Sequence, residues 1–203
     1  AASGGRFVYP LDDTYIHMAM ARIFSEHGVW GYTRYAFSSS TSSPLWTAVL
    51  ALGYFVLGPN EWLPLALNLV IGTVLISYLF VILRERIGPV TSFLILFSIM
   101  AVTSVPALTL LGMEHLLHTL LTLMFVRVCA GMIAQRSETP PDARWILLLA
   151  ALLPMTRYEG CFAIAWVCLL LLLSRRFGQA IRLAAVGAVP VLLYGLVSVV
   201  NGW

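Results

Sequence analysis

The sequence predicts an all-α protein: a polytopic transmembrane helical bundle with juxtamembrane helices in its first external loop. Three observations carry this. Hydrophobic residues make up 60% of the chain and charged residues only 10%, against roughly 25% charged in soluble domains. The mean hydropathy is +0.91. Apolar runs recur near the length of about 20 residues that crosses a bilayer. A soluble core of this size has no room for so much apolar surface. The net charge of +3 is small and scattered, so no nucleic-acid partner is expected, whereas membrane lipids are.

The elements follow in order. Ala1 is not an initiator Met, no signal-peptide pattern follows it, and the chain stops in an apolar run at Trp203. Both ends predict a piece of a longer protein. Residues 1–61 are expected to form the first external loop. Within it, Asp12–His27 reads as an amphipathic helix, with Ile16, Met20, Ile23, Phe24 and His27 at helical spacing. Arg22 and Glu26 form an i,i+4 pair on its polar side. Ser43 caps a second helix, Pro44 opens it, and it runs to Leu57, short for a span. Trp46, Tyr54 and Phe55 suit a membrane interface. About six spans follow in 62–203: Trp62–Leu83, Pro89–Leu111, Leu116–Ala134, Trp145–Thr156, Cys161–Ser174 and Ile181–Val200. Cys129, Cys161 and Cys168 have no Cys-x-x-Cys spacing and are expected to be buried small hydrophobes.

All 12 basic residues are arginine. Arg84, Arg86, Arg136, Arg144, Arg175, Arg176 and Arg182 fall in alternate inter-helix junctions, which the positive-inside rule puts on the cytoplasmic side. If Pro44–Leu57 does not cross, Asp12, Asp13, Glu61, Glu114, His115, Arg157, Tyr158 and Glu159 share the outer face. Glu85, Glu138 and Asp142 lie on the other. Ionisable groups converging from distant segments are what an active site requires, although any set of external loops also collects polar residues.

Each constellation has a structural and a chemical reading. Asp12 and Asp13 open a helix, where a carboxylate caps free N–H groups or complements the dipole. A helix N-terminus also favours an ionised carboxylate able to act as general base or metal ligand. Gly112-Met113-Glu114-His115 precedes a helix on which Glu114 and His118 share a face; it offers a dipole-favoured acid or a second functional one. Thr156-Arg157-Tyr158-Glu159-Gly160 interrupts the apolar pattern. There Arg157 is either a snorkelling anchor beside an interfacial Tyr158 or a phosphate ligand oriented by Glu159. Ser38–Ser43 is a polar linker or a row of hydroxyls lining a sugar or phosphate site.

Taken together, Asp12-Asp13-Thr-Tyr-Ile, Gly31-Tyr32-Thr33, Ser42-Ser43-Pro44-Leu45-Trp46, Gly112-Met113-Glu114 and Arg157-Tyr158-Glu159-Gly160 resemble the GT-C superfamily of membrane glycosyltransferases. The bacterial arabinofuranosyl- and mannosyltransferase-like group, which uses polyprenyl-phosphate sugars, is the most similar. The resemblance covers nearly the whole chain but only the N-terminal half or so of such a protein. It implies a catalytic aspartate in the first external loop, matched by Asp12 with Asp13 beside it, and an acidic residue in the second loop, matched by Glu114. Arg157 and Glu159 match an Arg-Pro-Glu-Gly segment in which Tyr158 replaces the proline. It further implies inverting transfer from a polyprenyl-phosphate sugar to a glycan, lipid or protein acceptor at the periplasmic face of the inner cell membrane. Glu114, His115, Arg157, Tyr158 and Glu159 would bind on the donor-phosphate side, and a divalent cation (Mg or Mn) at Asp12 and Glu114 is an expected cofactor. The rival readings are a transporter or flippase, and a non-catalytic subunit that binds lipid-linked sugars.

Overall fold

The structure, a computed structural model, describes residues 8–135 and 143–203. Among them it is all-helical, with nine helices: α1 Asp12–His27, α2 Pro44–Leu57, α3 Leu63–Ile87, α4 Pro89–Val102, α5 Val105–Leu110, α6 His115–Gln135, α7 Ala143–Thr156, α8 Gly160–Leu173 and α9 Phe177–Val200. The first two begin and end where sequence chemistry requires. α1 starts on its two aspartates and stops at Gly28, whose φ of 69° closes the last turn on the Phe24 carbonyl. Its N-cap is Leu11, which makes no side-chain cap bond, so neither aspartate caps the helix. α2 starts with Pro44 in its first turn, and the Ser43 hydroxyl accepts from the Trp46 N–H.

Among the described residues three helices are long and apolar enough to cross a membrane: α3, α6 and α9. Only 17% of the apolar window is buried in α3 and in α9. A helix that is apolar all round yet faces outward fits a bilayer, not water. Of the other expected spans, α7 and α8 have 14 residues each, about 21 Å of helix against roughly 30 Å of hydrocarbon. The expected span Pro89–Leu111 is corrected to two pieces. Thr103 turns extended at φ −93° and ψ 161°, and α5 restarts with Pro106 in its first turn. Proline lacks the N–H that would continue the first helix and fits the opening of the second.

The helices align their ends. Tyr9 and Leu65, Thr14 and Leu111, and His118 and Thr156 are each joined by a hydrogen bond at one end of the bundle. At the other end Arg176 donates to the Met132 carbonyl (3.0 Å), and Arg84 and Arg86 close α3. Arg136, Glu138 and Asp142 lie outside the described residues. Cysteines placed at Ser42 and Ser174 in a cysteine-free background are therefore expected to react with an impermeant maleimide from opposite sides of sealed vesicles. Labelling from the same side contradicts the end assignment.

The packing corrects two readings of the segment before α3 and one of the later helices. The buried face of α1 is Thr14, His17, Met20 and Ala21. The expected apolar stripe is mostly outside it, with Phe24 and His27 exposed. Trp46 and Tyr54 are buried and only Phe55 is exposed, because α2 packs on α1, α3 and α7. Of the cysteines, Cys129 is buried, Cys168 half-buried and Cys161 exposed at the start of α8.

Candidate functional site

The site lies where α1, α2, α6 and the α7–α8 corner meet. Its foundation is the Leu111–Glu114 corner. Gly112 turns it at φ 70°, in the left-handed region that favours glycine. A Cβ there would also drive into the Tyr9 ring. Thr14 Oγ1 donates to the Leu111 carbonyl (2.7 Å), and the Trp46 indole N–H donates to the Gly112 carbonyl (3.2 Å). Two helices of the first loop thus fix the backbone that carries Glu114. Gly112→Ala is expected to lower thermal stability by about 1–3 kcal/mol; an unchanged unfolding temperature contradicts this account of the corner.

Glu114 is fully buried. Its Oε1 accepts from the Arg157 guanidinium at 2.9 Å. The same terminal nitrogen lies 3.0 Å from His115 Nδ1, and the other donates to Glu159 Oε1 at 2.7 Å. Arg157 is thereby held between a buried and an exposed carboxylate. The Glu159 hydrogen bond, with the charge of Glu114 behind it, raises the guanidinium above its ordinary range, and Arg157 lowers Glu159 in return. The Arg157 side chain remains 29% exposed, so it can be reached from outside.

On the far side of Glu114 stands His17, equally buried. Its Nδ1 lies 3.0 Å from both Thr41 Oγ1 and Thr47 Oγ1, which are 2.8 Å from each other. Its Nε2 faces Glu114 Oε2 at 3.6 Å, too long for a hydrogen bond, and neither atom has one. The arrangement that serves both sides puts the ring proton on Nε2, toward the carboxylate, with Nδ1 accepting from a threonine. Burial holds the imidazole below its ordinary 6.5, against the pull of Glu114 and then Asp13. The folded protein therefore takes up this proton less readily than the unfolded chain. Stability on this account is level above about pH 6.5 and falls as the pH drops below it. Thermal unfolding followed from pH 7.5 to 5 is expected to show that slope, and His17→Gln to flatten it.

The structure brings together Glu114, His115, Arg157 and Glu159. Tyr158 is exposed and outside this chain of contacts. Asp12 and Asp13 are exposed on the first turn of α1, and among the described residues no hydrogen bond or ion pair ties either one. Of the Ser38–Ser43 row only Thr41 reaches His17. Ser43 caps α2, and Ser39 bonds Ser198 on α9 at 2.9 Å. His17 and Thr47 are the partners that sequence reasoning missed, while Thr41 falls within the expected Ser38–Ser43 row. The available signal was the Thr14–His17–Ala21 stripe of small and polar residues at helical spacing.

No three His, Cys, Asp or Glu come together as a metal site among the described residues. The donor set at Glu114 does not suit a divalent cation either. The fixed charge of Arg157 occupies one oxygen and a histidine faces the other, so an ion there would meet a guanidinium at contact distance. No family model matches the chain, and neither a curated protein nor a solved structure does. Among the described residues, fold and site define an all-helical protein with three membrane-length helices and a half-buried Glu114–Arg157 ion pair at one end.

Proposed function

We propose that the chain is the catalytic N-terminal part of an inverting membrane glycosyltransferase of the GT-C type, moving a sugar from a polyprenyl phosphate to an acceptor hydroxyl at the outer face. The observation that carries this reading is the Glu114–Arg157–Glu159 chain. It supplies an oriented, reachable guanidinium at the end of the bundle where α1 presents two untied carboxylates. The transfer breaks the bond between the anomeric carbon and the phosphate oxygen. It forms one from that carbon to the acceptor oxygen, whose proton passes to Asp12 as general base. The departing phosphate retains the electron pair, and Arg157 stabilises the charge it gains. Asp13 holds a second carboxylate beside the base, and His115 stands against the guanidinium. The test is direct. The full-length protein in lipid nanodiscs is given a panel of polyprenyl-phosphate sugars with glycan, lipid and protein acceptors. Transfer from at least one donor is the expected result, and none from any overturns the reading.

One observation favours a second reading. Both terminal nitrogens of Arg157 already face carboxylates, an arrangement that also suits a structural clamp in a non-catalytic subunit binding lipid-linked sugars. That reading predicts donor binding without turnover in the same assay.

A further inference from the structure

We infer that the cleft along the outer stripe of α1 is a binding site for a neutral sugar chain, the acceptor of the transfer proposed above and dependent on that reading for its role. The cleft has a volume of about 660 Å³, within the range of roughly 300–1,000 Å³ usual for ligand sites. Its walls come from separate segments: Tyr15, Arg22 and Glu26 on α1, Tyr32 beyond its end, and Asn60 and Glu61 before α3. At 100° per residue, Asp12, Tyr15, Ala19, Arg22 and Glu26 fall on one stripe of α1. The proposed base therefore heads the same stripe that lines the cleft, while His17 and Thr14 turn inward on the opposite face.

The lining has the chemistry of carbohydrate recognition. A sugar ring presents hydroxyls that both donate and accept, and an apolar C–H face that packs on aromatic rings. Tyr15 and Tyr32 are 40% and 54% exposed, which leaves ring surface open. Glu26 and Glu61 accept from hydroxyls. Asn60 Oδ1 is engaged by the Trp62 N–H at 2.8 Å, leaving its NH₂ to donate. Arg22 and Glu26 balance each other at 3.0 Å. Glu61 is left as the excess charge of the cleft, which disfavours a phosphate or carboxylate ligand.

The walls are also held in place. The buried Tyr9 hydroxyl donates to the Glu61 carbonyl at 2.8 Å and accepts from the Leu65 N–H at 3.1 Å. The Tyr9 N–H donates to the Tyr15 hydroxyl at 2.9 Å, and the two rings meet edge to face. One residue thus ties the α1 wall to the α3 wall. From Asp12 to Arg22 the helix runs about 15 Å, long enough for more than one sugar ring. The geometry suits an oligosaccharide whose reacting hydroxyl lies at the Asp12 end.

The test has two arms. Binding of neutral tetrasaccharides of mannose, glucose and arabinose to the full-length protein in nanodiscs is followed by saturation-transfer NMR. Wild type is expected to bind at least one, and Tyr32→Ala and Glu61→Gln, both surface changes, to weaken it at least tenfold. No binding by wild type, or undiminished binding by both variants, overturns the site. The second arm measures transfer: in the same variants KM for an oligosaccharide acceptor rises at least tenfold while KM for the donor stays put. An unchanged acceptor KM overturns the acceptor role. Sugar binding without transfer in wild type would leave the cleft standing as a sugar site and remove the glycosyltransferase reading.

Discussion

On the proposed function, Asp12→Asn is expected to lower the rate of sugar transfer by about 10²- to 10⁴-fold, the usual contribution of a positioned general base, and to leave the protein folded. The substitution keeps the shape of the side chain and removes its ability to take a proton. The fold does not depend on this carboxylate. It is exposed, it is not the N-cap, and no described residue is tied to it. What the helix loses is a favourable charge at its first turn, worth about 0.3–1 kcal/mol. Single-turnover transfer, measured beside the unfolding temperature, separates the two effects. Asp13→Asn is the companion: it shares the helix position but not the proposed base role, so its rate falls less. A wild-type rate in Asp12→Asn, or a larger loss in Asp13→Asn, removes Asp12 from the mechanism.

Glu114→Ala is expected to be the most destabilising single change at the site, by about 3 kcal/mol. Truncating one partner of a buried ion pair typically costs about 3–5 kcal/mol, and the lower end applies because Arg157 is partly exposed and regains water. His17 loses its facing carboxylate in the same step. Glu114→Gln retains an oxygen for the guanidinium and costs less, about 1–2 kcal/mol. Glu159→Gln removes the exposed partner of the same arginine and costs under about 1 kcal/mol. The ranking Ala, then Gln at 114, then Gln at 159 is read from unfolding midpoints in detergent. Equal midpoints for Glu114→Ala and Glu159→Gln contradict the buried-anchor role. On the proposed function transfer is expected to fall in parallel, because an arginine released from Glu114 would no longer point where phosphate charge develops.

How far the sequence is legible depends on the range of the interaction. The limits of α1 and α2 are written in local chemistry: two aspartates and a glycine for one, Ser-Pro and a glycine for the other. The Arg22–Glu26 pair is equally local and is present at 3.0 Å. Glu114 and Arg157 could be placed at one end by charge pattern, but their contact joins residues 43 apart and has no local signature. His17 is harder still. On its own helix it reads as one polar residue on an amphipathic surface, and its partners Thr41, Thr47 and Glu114 all come from other segments. The direction in which α1 packs was misread for the same reason. Its larger apolar residues form one stripe, yet the smaller Thr14 and Ala21 lie on the buried face, Thr14 against the Leu111–Gly112 corner and Ala21 against α2. The break at Thr103 was legible in Pro106, and the apolar run on either side concealed it.

The contact from Thr14 to Leu111 spans 97 residues. At synthesis rates of roughly 5–20 residues per second, the first loop waits about 5–20 s before the corner it must grip has been made. During that interval α1 and α2 have neither the Leu111 nor the Gly112 carbonyl to hold, and His17 has no Glu114 to face. Completion waits longer still, because Arg157 follows Glu114 by 43 residues and the Ser39–Ser198 contact closes only once α9 has been made.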